Sequence, residues 1–523
     1  MKRLLALLLC CALLLCGCTG AKNALGFHGV VAYEDMTYVR PDMDQVAAAA
    51  QAAIDAAEQN QSADAILEAV WDYYGVYNTF LTNFNLAYIH YHADLKDFYW
   101  QKEQTYCAEQ AAQLDLYLED IYYALAACDA RQELEEEYFG TGWFDAYTGE
   151  GMYDEELVAL MEREQALVAE YYDLVGQDSL DEEAWLDEHA LPAARILADL
   201  IQVRQAIAGE AGYESYPDFA WDYHYYRDYT PAQAERYLQQ IQEQLVPLYR
   251  NMNAADVWGP GTRLCRTQEV FDYVKSAAKA MGGTTWEAFR LLEQGELYDI
   301  STSLSKSGLS FELYLPDYYE PYVFISGTGT RYDCLSFAHE FGHFANDYAS
   351  GGTAAGADVT EVFSQGMEYL SLCYGQADQG FIDMKLADSL SVYVEQAAYA
   401  DFERQMYELS GLKLTAGNLL KLYAQIGRDY GFDSMEWDPR DMVTVPHFYS
   451  NPMYVISYVV SNDAAMQLYQ LELDTPGAGK QCFEENLATE EAGLMAFLEH
   501  AGLQSPFDRI DAVRQLMAQH FGE

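Results

Sequence analysis

The stretch Cys334-Leu335-Ser336-Phe337-Ala338-His339-Glu340-Phe341-Gly342-His343-Phe344-Ala345-Asn346-Asp347 decides how the rest of the chain is read. At 3.6 residues per turn, a helix puts His339 and His343 one turn apart on one face, so that two imidazoles can converge on a tetrahedral Zn²⁺. Glu340 is then offset by about 100° and can reach an attacking water without ligating the metal. Leu335, Phe337, Ala338 and Phe341 supply the apolar side that seats such a helix in a core. A catalytic zinc takes a third protein ligand and keeps one position open. A histidine at position 349 would complete one common arrangement, but the residue there is Ala349. The other common solution draws a glutamate from a second helix. Residues 357–369 offer Glu361 and Glu368, seven apart and so on nearly the same face, after a glycine-containing loop at 350–356. Spacing leaves open which of the two ligates and which supports a ligand through a hydrogen bond.

Just before this stretch the period changes. Leu309, Phe311, Leu313 and Leu315 alternate with Ser310, Glu312 and Tyr314, the pattern of a half-buried strand. A turn at 316–321 and a second apolar strand at 322–325 complete a predicted hairpin. Its edge could pair with an extended peptide, or the hairpin could simply brace the helix, and the pattern favours neither. Elsewhere the chain reads as helical. An Ala-rich helix is expected at 44–57, followed by one in which Leu67, Val70, Trp71, Tyr74, Tyr77, Leu81 and Phe84 recur at spacings of three and four. Further helices are expected at 94–127, 155–175 and 192–208. Thr230-Pro231-Ala232-Gln233 opens another, running to about residue 249, and one more starts at Thr284. The tyrosines and other aromatics sit mostly on these stripes and read as core. His90 and His92, two apart, fall on opposite sides of a helix and read as structural.

The chain carries 83 acidic against 29 basic residues, a formal net charge of −54. Such a surface excludes nucleic-acid binding and adsorption to anionic lipid headgroups. The acidic residues are spread along the chain, which favours a solvated surface over a lure for basic peptides. Lys2 and Arg3 precede an apolar run at 4–15, too short to span a bilayer comfortably, and Leu15-Cys16-Gly17-Cys18 resembles a bacterial lipobox. Cys18 is therefore expected to be lipidated, anchoring the protein at the outer face of the cytoplasmic membrane; a cleaved secretory signal is the alternative. The six later cysteines match no zinc ribbon or Cys-x-x-Cys motif and read as buried thiols, with one unassignable disulfide allowed. The expected organisation is a leader at 1–18, a tether at 19–41, an N-terminal helical lobe at 42–190 and a catalytic domain at 191–523.

The run Pro321-Tyr322-Val323-Phe324-Ile325-Ser326-Gly327-Thr328-Gly329-Thr330-Arg331-Tyr332-Asp333, leading into His339-Glu340-Phe341-Gly342-His343 and followed by Thr360-Glu361-Val362-Phe363-Ser364, resembles the oligoendopeptidase F family. That family belongs to the thimet-oligopeptidase-like zinc metallopeptidases, a group of gluzincins. The resemblance implies Glu361 as the third ligand of one Zn²⁺ per chain, with Glu368 supporting a ligand. Residues 445–458 resemble the family's second active-site segment, which implies that His447, Tyr458 and Tyr454 face the zinc and stabilise the oxyanion. One departure is Ala345-Asn346-Asp347, where relatives often have another histidine. The implied fold is mainly α, with two helical lobes around a deep substrate channel and a small β-hairpin beside the zinc helix. The implied activity is a zinc-dependent oligoendopeptidase that cuts internal bonds of short unfolded peptides at the outer cell surface, with Glu340 as general base. Its rivals are a zinc carboxypeptidase of related helical fold and a non-catalytic peptide-binding lipoprotein.

Overall fold

The computed structural model describes residues 30–147, 155–175, 182–252, 261–352, 355–433 and 436–521; Cys18 and the leader lie outside them. Three long helices come first, α1 (Met43–Glu58), α2 (Ala63–Ala93) and α3 (Phe98–Ala127). The side chains of Asp42, Ser62 and Asp97 accept from first-turn amides and so start each one. Ala50, Ala53 and Ala57 of α1 are buried, and their small side chains let α1 lie close to its neighbours around Ile66, Tyr73, Phe80, Leu114 and Ile121.

This smaller core ends at Tyr147. Helices α4 (Glu155–Val175) and α5 (Glu182–Glu210) instead contribute Leu157, Leu167, Tyr171, Leu186 and Leu197 to a second, larger core. Among the described residues the smaller core draws on none after Tyr147, because the buried faces of α4 and α5 point toward the C-terminal part. Helix α2 belongs to both: Tyr73 lies in the smaller core while Leu86 and Ile89 reach the larger. Its 31 residues, about 46 Å of helix, physically join them.

Two helix boundaries differ from expectation. Pro192 does not open a helix but lies inside α5. Leu186, Ala190, Ala193, Ala194 and Leu197 carry the apolar face through it, and that burial offsets the roughly 3 kcal/mol that an interior proline costs. The helix capped by Thr230 and Gln233 ends at Gln244, and a separate turn, Val246–Asn251, holds Pro247 near its start. There the missing amide of Pro247 breaks the hydrogen-bond ladder.

Strands β1 (Tyr298–Asp299), β2 (Phe311–Leu315) and β3 (Glu320–Phe324) form one sheet in the order β1-β3-β2. The predicted hairpin is β2–β3, antiparallel with Phe311 opposite Phe324 and Leu315 opposite Glu320. Parallel β1 escapes detection from sequence because two residues show no period. Behind the sheet stand α6 (Asp333–Ser350), α7 (Ala357–Tyr374), α8 (Gln379–Ser391) and α9 (Ile456–Asp474). Residues buried on every side of α9 make it a central helix. The fold is mainly α with a small sheet. Among the described residues no helix is long and apolar enough to cross a membrane. All six described cysteines are free thiols, and Cys373 is exposed where a buried thiol was expected.

Candidate metal centre

Ahead of helix α6 the Asp333 carboxylate accepts the Thr328 and Gly329 amides, each at 2.9 Å, and so ties the glycine-containing loop to the first residue of the helix. It ends at Gly351, whose φ of 75° is the left-handed conformation that favours glycine. Between these ends, Gly342 lets α7 come close. A methyl group there would lie 2.6 Å from the Ser364 Cα and still nearer the Phe363 carbonyl. Bare backbone at Gly342 is what brings Glu361 of α7 up to the two histidines of α6.

Glu361 Oε2 lies 3.5 Å from His339 Nε2 and 3.8 Å from His343 Nε2. The donor atoms of the three residues all fall within 4.8 Å of one another. A tetrahedral zinc with bonds of 2.0–2.1 Å spaces its ligands about 3.3 Å apart, so two imidazole nitrogens and a carboxylate oxygen at these separations fit the ion. Both oxygens of Glu361 are held from behind: Ser364 Oγ donates to Oε2 at 2.8 Å and the Tyr454 phenol to Oε1 at 2.7 Å. Glu368, two turns further along α7, accepts from His339 Nδ1 at 2.8 Å. With Nδ1 so engaged, the other ring nitrogen of His339, Nε2, faces Glu361.

Burial raises the Glu340 carboxyl to about 7, with Glu361 and Glu368 adding to the rise and His339 opposing it. Burial alone would lower His339, but its bond to Glu368 and the charges of Glu361 and Glu340 carry it up to about 10. Burial lowers His343 to about 4.

The remaining predicted residues come from residues 447–458. A short helix, His447–Ser450, is followed by a turn in which Met453 has a φ of 66°, and then by α9. Tyr458 Oη and His447 Nε2 are 3.3 Å apart, and the Tyr454 ring centroid lies 5.7 Å from that of His447. Tyr454 spends its proton on Glu361, a contact that the expectation of an oxyanion donor did not include. Burial lowers the His447 pKa and holds the Tyr458 phenol well above its ordinary value of 10.

Several residues with no role foreseen from sequence hold this arrangement. Fully buried Arg204 donates to the Phe448 carbonyl at 2.9 Å and to the Tyr449 carbonyl, and pairs with Glu164 at 2.6 Å. Glu403 accepts the Met453 amide at 2.7 Å. Arg227 donates to Ser457 Oγ at 2.9 Å and pairs with Asp358. Lys385 of α8 lies 2.7 Å from Glu368. The available signal was a charge set within an apolar stripe, as at Lys385 between Met384 and Leu386. His90 stacks on Trp100, and His92 is buried beside Tyr88 and Phe311. Neither histidine joins a metal-capable group among the described residues.

Residues 33–147 match the family described as Peptidase M3 N-terminal domain. The chain is also similar across its length to solved structures. One described as an oligoendopeptidase F is 21% identical with a TM-score of 0.80, over 94% of this chain and 98% of that one. Residues 33–147 are thus similar to an M3 peptidase N-terminal domain, and the chain takes the fold of the oligoendopeptidase F structures. PZ peptidase A, solved with an inhibitor, is 19% identical with a TM-score of 0.81, over 93% of this chain and 99% of that one. A structure from Bacillus anthracis str. Ames, also described as an oligoendopeptidase F, is 19% identical with a TM-score of 0.77, over 94% and 98%. No curated protein matches the chain by sequence. At these identities the structural matches speak to fold; the site rests on its own geometry.

Proposed function

We propose that this M3-type chain is a zinc-dependent endopeptidase that hydrolyses internal bonds of short unfolded peptides. The observation that carries the reading is the convergence of His339, His343 and Glu361 donor atoms within 4.8 Å, with buried Glu340 on the same helix. One Zn²⁺ per chain, held by those three residues, would polarise the scissile carbonyl and make a water nucleophilic near neutral pH. Glu340 takes the proton of the attacking water and later delivers it to the leaving amine. His447 and Tyr458, 3.3 Å apart, would donate to the carbonyl oxygen as it becomes negative, and the raised pKa of Tyr458, which keeps its proton available, supports that role. Tyr454 and Ser364 orient Glu361, while Glu368 fixes the His339 tautomer. The M3 N-terminal domain and the oligoendopeptidase F fold support peptides as the substrate class. Anchoring through lipidated Cys18 would place the activity outside the cell.

Cleavage of an internally quenched peptide blocked at both ends tests this, with the zinc-loaded wild type beside Glu340→Gln. The wild type is expected to cut it, and the variant to be slower by on the order of 10² or more. If both leave the blocked peptide intact while an unblocked one loses C-terminal residues, the protein is a carboxypeptidase. If nothing is cut and peptide binds tightly to zinc-free protein, it is a binding lipoprotein.

A further inference from the structure

Lys385 is 1% exposed and sits among Phe381, Met384, Leu386 and Leu390, all fully buried. An ammonium in such a place costs several kcal/mol unless it is paired. Its partners are Glu368 Oε2 at 2.7 Å and Asp388 Oδ2 at 3.1 Å, with the Tyr369 ring 4.9 Å away. The other oxygen of Glu368 meets His339 Nδ1 at 2.8 Å, and the other oxygen of Asp388 accepts the Tyr332 phenol. Tyr332 is the residue immediately before α6. The contacts therefore close a circuit: from His339 on α6 to Glu368 on α7, to Lys385 and Asp388 on α8, and back to the head of α6. An ammonium offers three donors and no acceptor. A Glu368 bonded to it on the far oxygen presents its near oxygen to His339 as an acceptor.

We propose that Lys385 is a positioning residue for the metal centre: it holds Glu368 as the acceptor of the His339 Nδ1 proton and so keeps His339 Nε2 free for zinc. This rests on the zinc reading above. Lys385 touches neither substrate nor metal and acts through Glu368. Removing it leaves Asp388 the Tyr332 phenol as a donor but takes from Glu368 the charge that holds its far oxygen, so the metal should loosen before the fold is disturbed.

The test is the zinc dissociation constant of the full chain, measured by competition with a chromophoric chelator, for wild type, Lys385→Met, Glu368→Gln and the double variant. Lys385→Met is expected to weaken zinc about 10–100-fold. Because Lys385 acts through Glu368, the double variant should bind within about threefold of Glu368→Gln alone. Wild-type affinity in Lys385→Met, or losses that multiply in full in the double variant, would overturn the proposal. Should Lys385→Met fail to fold, the double variant, from which both charges of the pair are gone, decides by the same comparison with Glu368→Gln. A wild type that binds no zinc would instead defeat the metal reading itself, so the two failures are distinguishable.

Discussion

Gly342 stands between Glu340 and His343, and it faces the backbone of α7 at Phe363 and Ser364. Its role is to be small. Gly342→Ala would push a methyl group into that backbone, and α6 and α7 would have to part just where Glu361 meets the histidines. Overpacking of this kind costs roughly 1–3 kcal/mol. The expected outcome is a lower midpoint in denaturant unfolding of the zinc-free protein, together with weaker zinc binding in the chelator assay. A variant that loses stability but keeps wild-type zinc affinity would show that the helix crossing tolerates the shift. Glu119 of α3 offers a residue-scale test away from the site. Burial raises its carboxyl from 4.5 to about 8, with Asp120 adding to the rise. The folded state therefore binds more protons than the unfolded chain between those values, so its contribution to stability is lost as pH rises from about 4.5 through 8. Glu119→Gln should raise the melting temperature at pH 8 and leave it nearly unchanged at pH 4.5. An equal gain at both would refute the linkage.

At the scale of elements, residues 447–458 carry the catalytic candidates across a short helix, a turn and the first residues of α9. Arg204 and Glu403 bond backbone groups of the short helix and the turn, and Arg227 bonds the Ser457 hydroxyl at the start of α9. Burial raises the Glu403 carboxyl to about 8, so at neutral pH glutamine is a near mimic that still accepts the Met453 amide. Glu403→Gln should leave kcat close to wild type. Glu403→Ala, which frees that amide, should lower kcat on the order of tenfold to a hundredfold with zinc content unchanged, since the three ligands come from α6 and α7. Equal kcat values for the two variants would remove Glu403 from this role. The β2–β3 hairpin and α6 were legible beforehand because each rests on short-range periodicity. The support of residues 447–458 was not, because Arg204 reaches Phe448 across 244 positions.

At the scale of the whole molecule, 83 acidic residues against 29 basic ones give a surface that repels itself. Raising salt from about 10 to 150 mM shortens the screening length to about 8 Å, and the melting temperature should rise with it. A fall or no change would mean that specific surface ion pairs, such as Arg440 with Glu183 and Asp187, outweigh the general repulsion. The two-core plan adds a second expectation: α2 runs through both, so a destabilised smaller core communicates with the sheet beside α6 through contacts such as Asn85 to the Tyr314 carbonyl at 2.7 Å.

Sequence by itself determined the parts of this protein whose partners lie within a few residues. One helical turn separates His339 from His343, two-residue alternation makes β2, and Asp42, Ser62, Asp97 and Thr230 start their helices from the adjacent residue. Such interactions follow from backbone geometry, which every chain shares. Tertiary structure alone decided what the other buried charges meet: Lys385 against Glu368, Arg204 against the backbone after His447. It also decided that the smaller core draws on no described residue after Tyr147. A lysine or arginine inside an apolar stripe looks like an interruption in sequence, because the opposite charge that makes its burial tolerable sits on another helix.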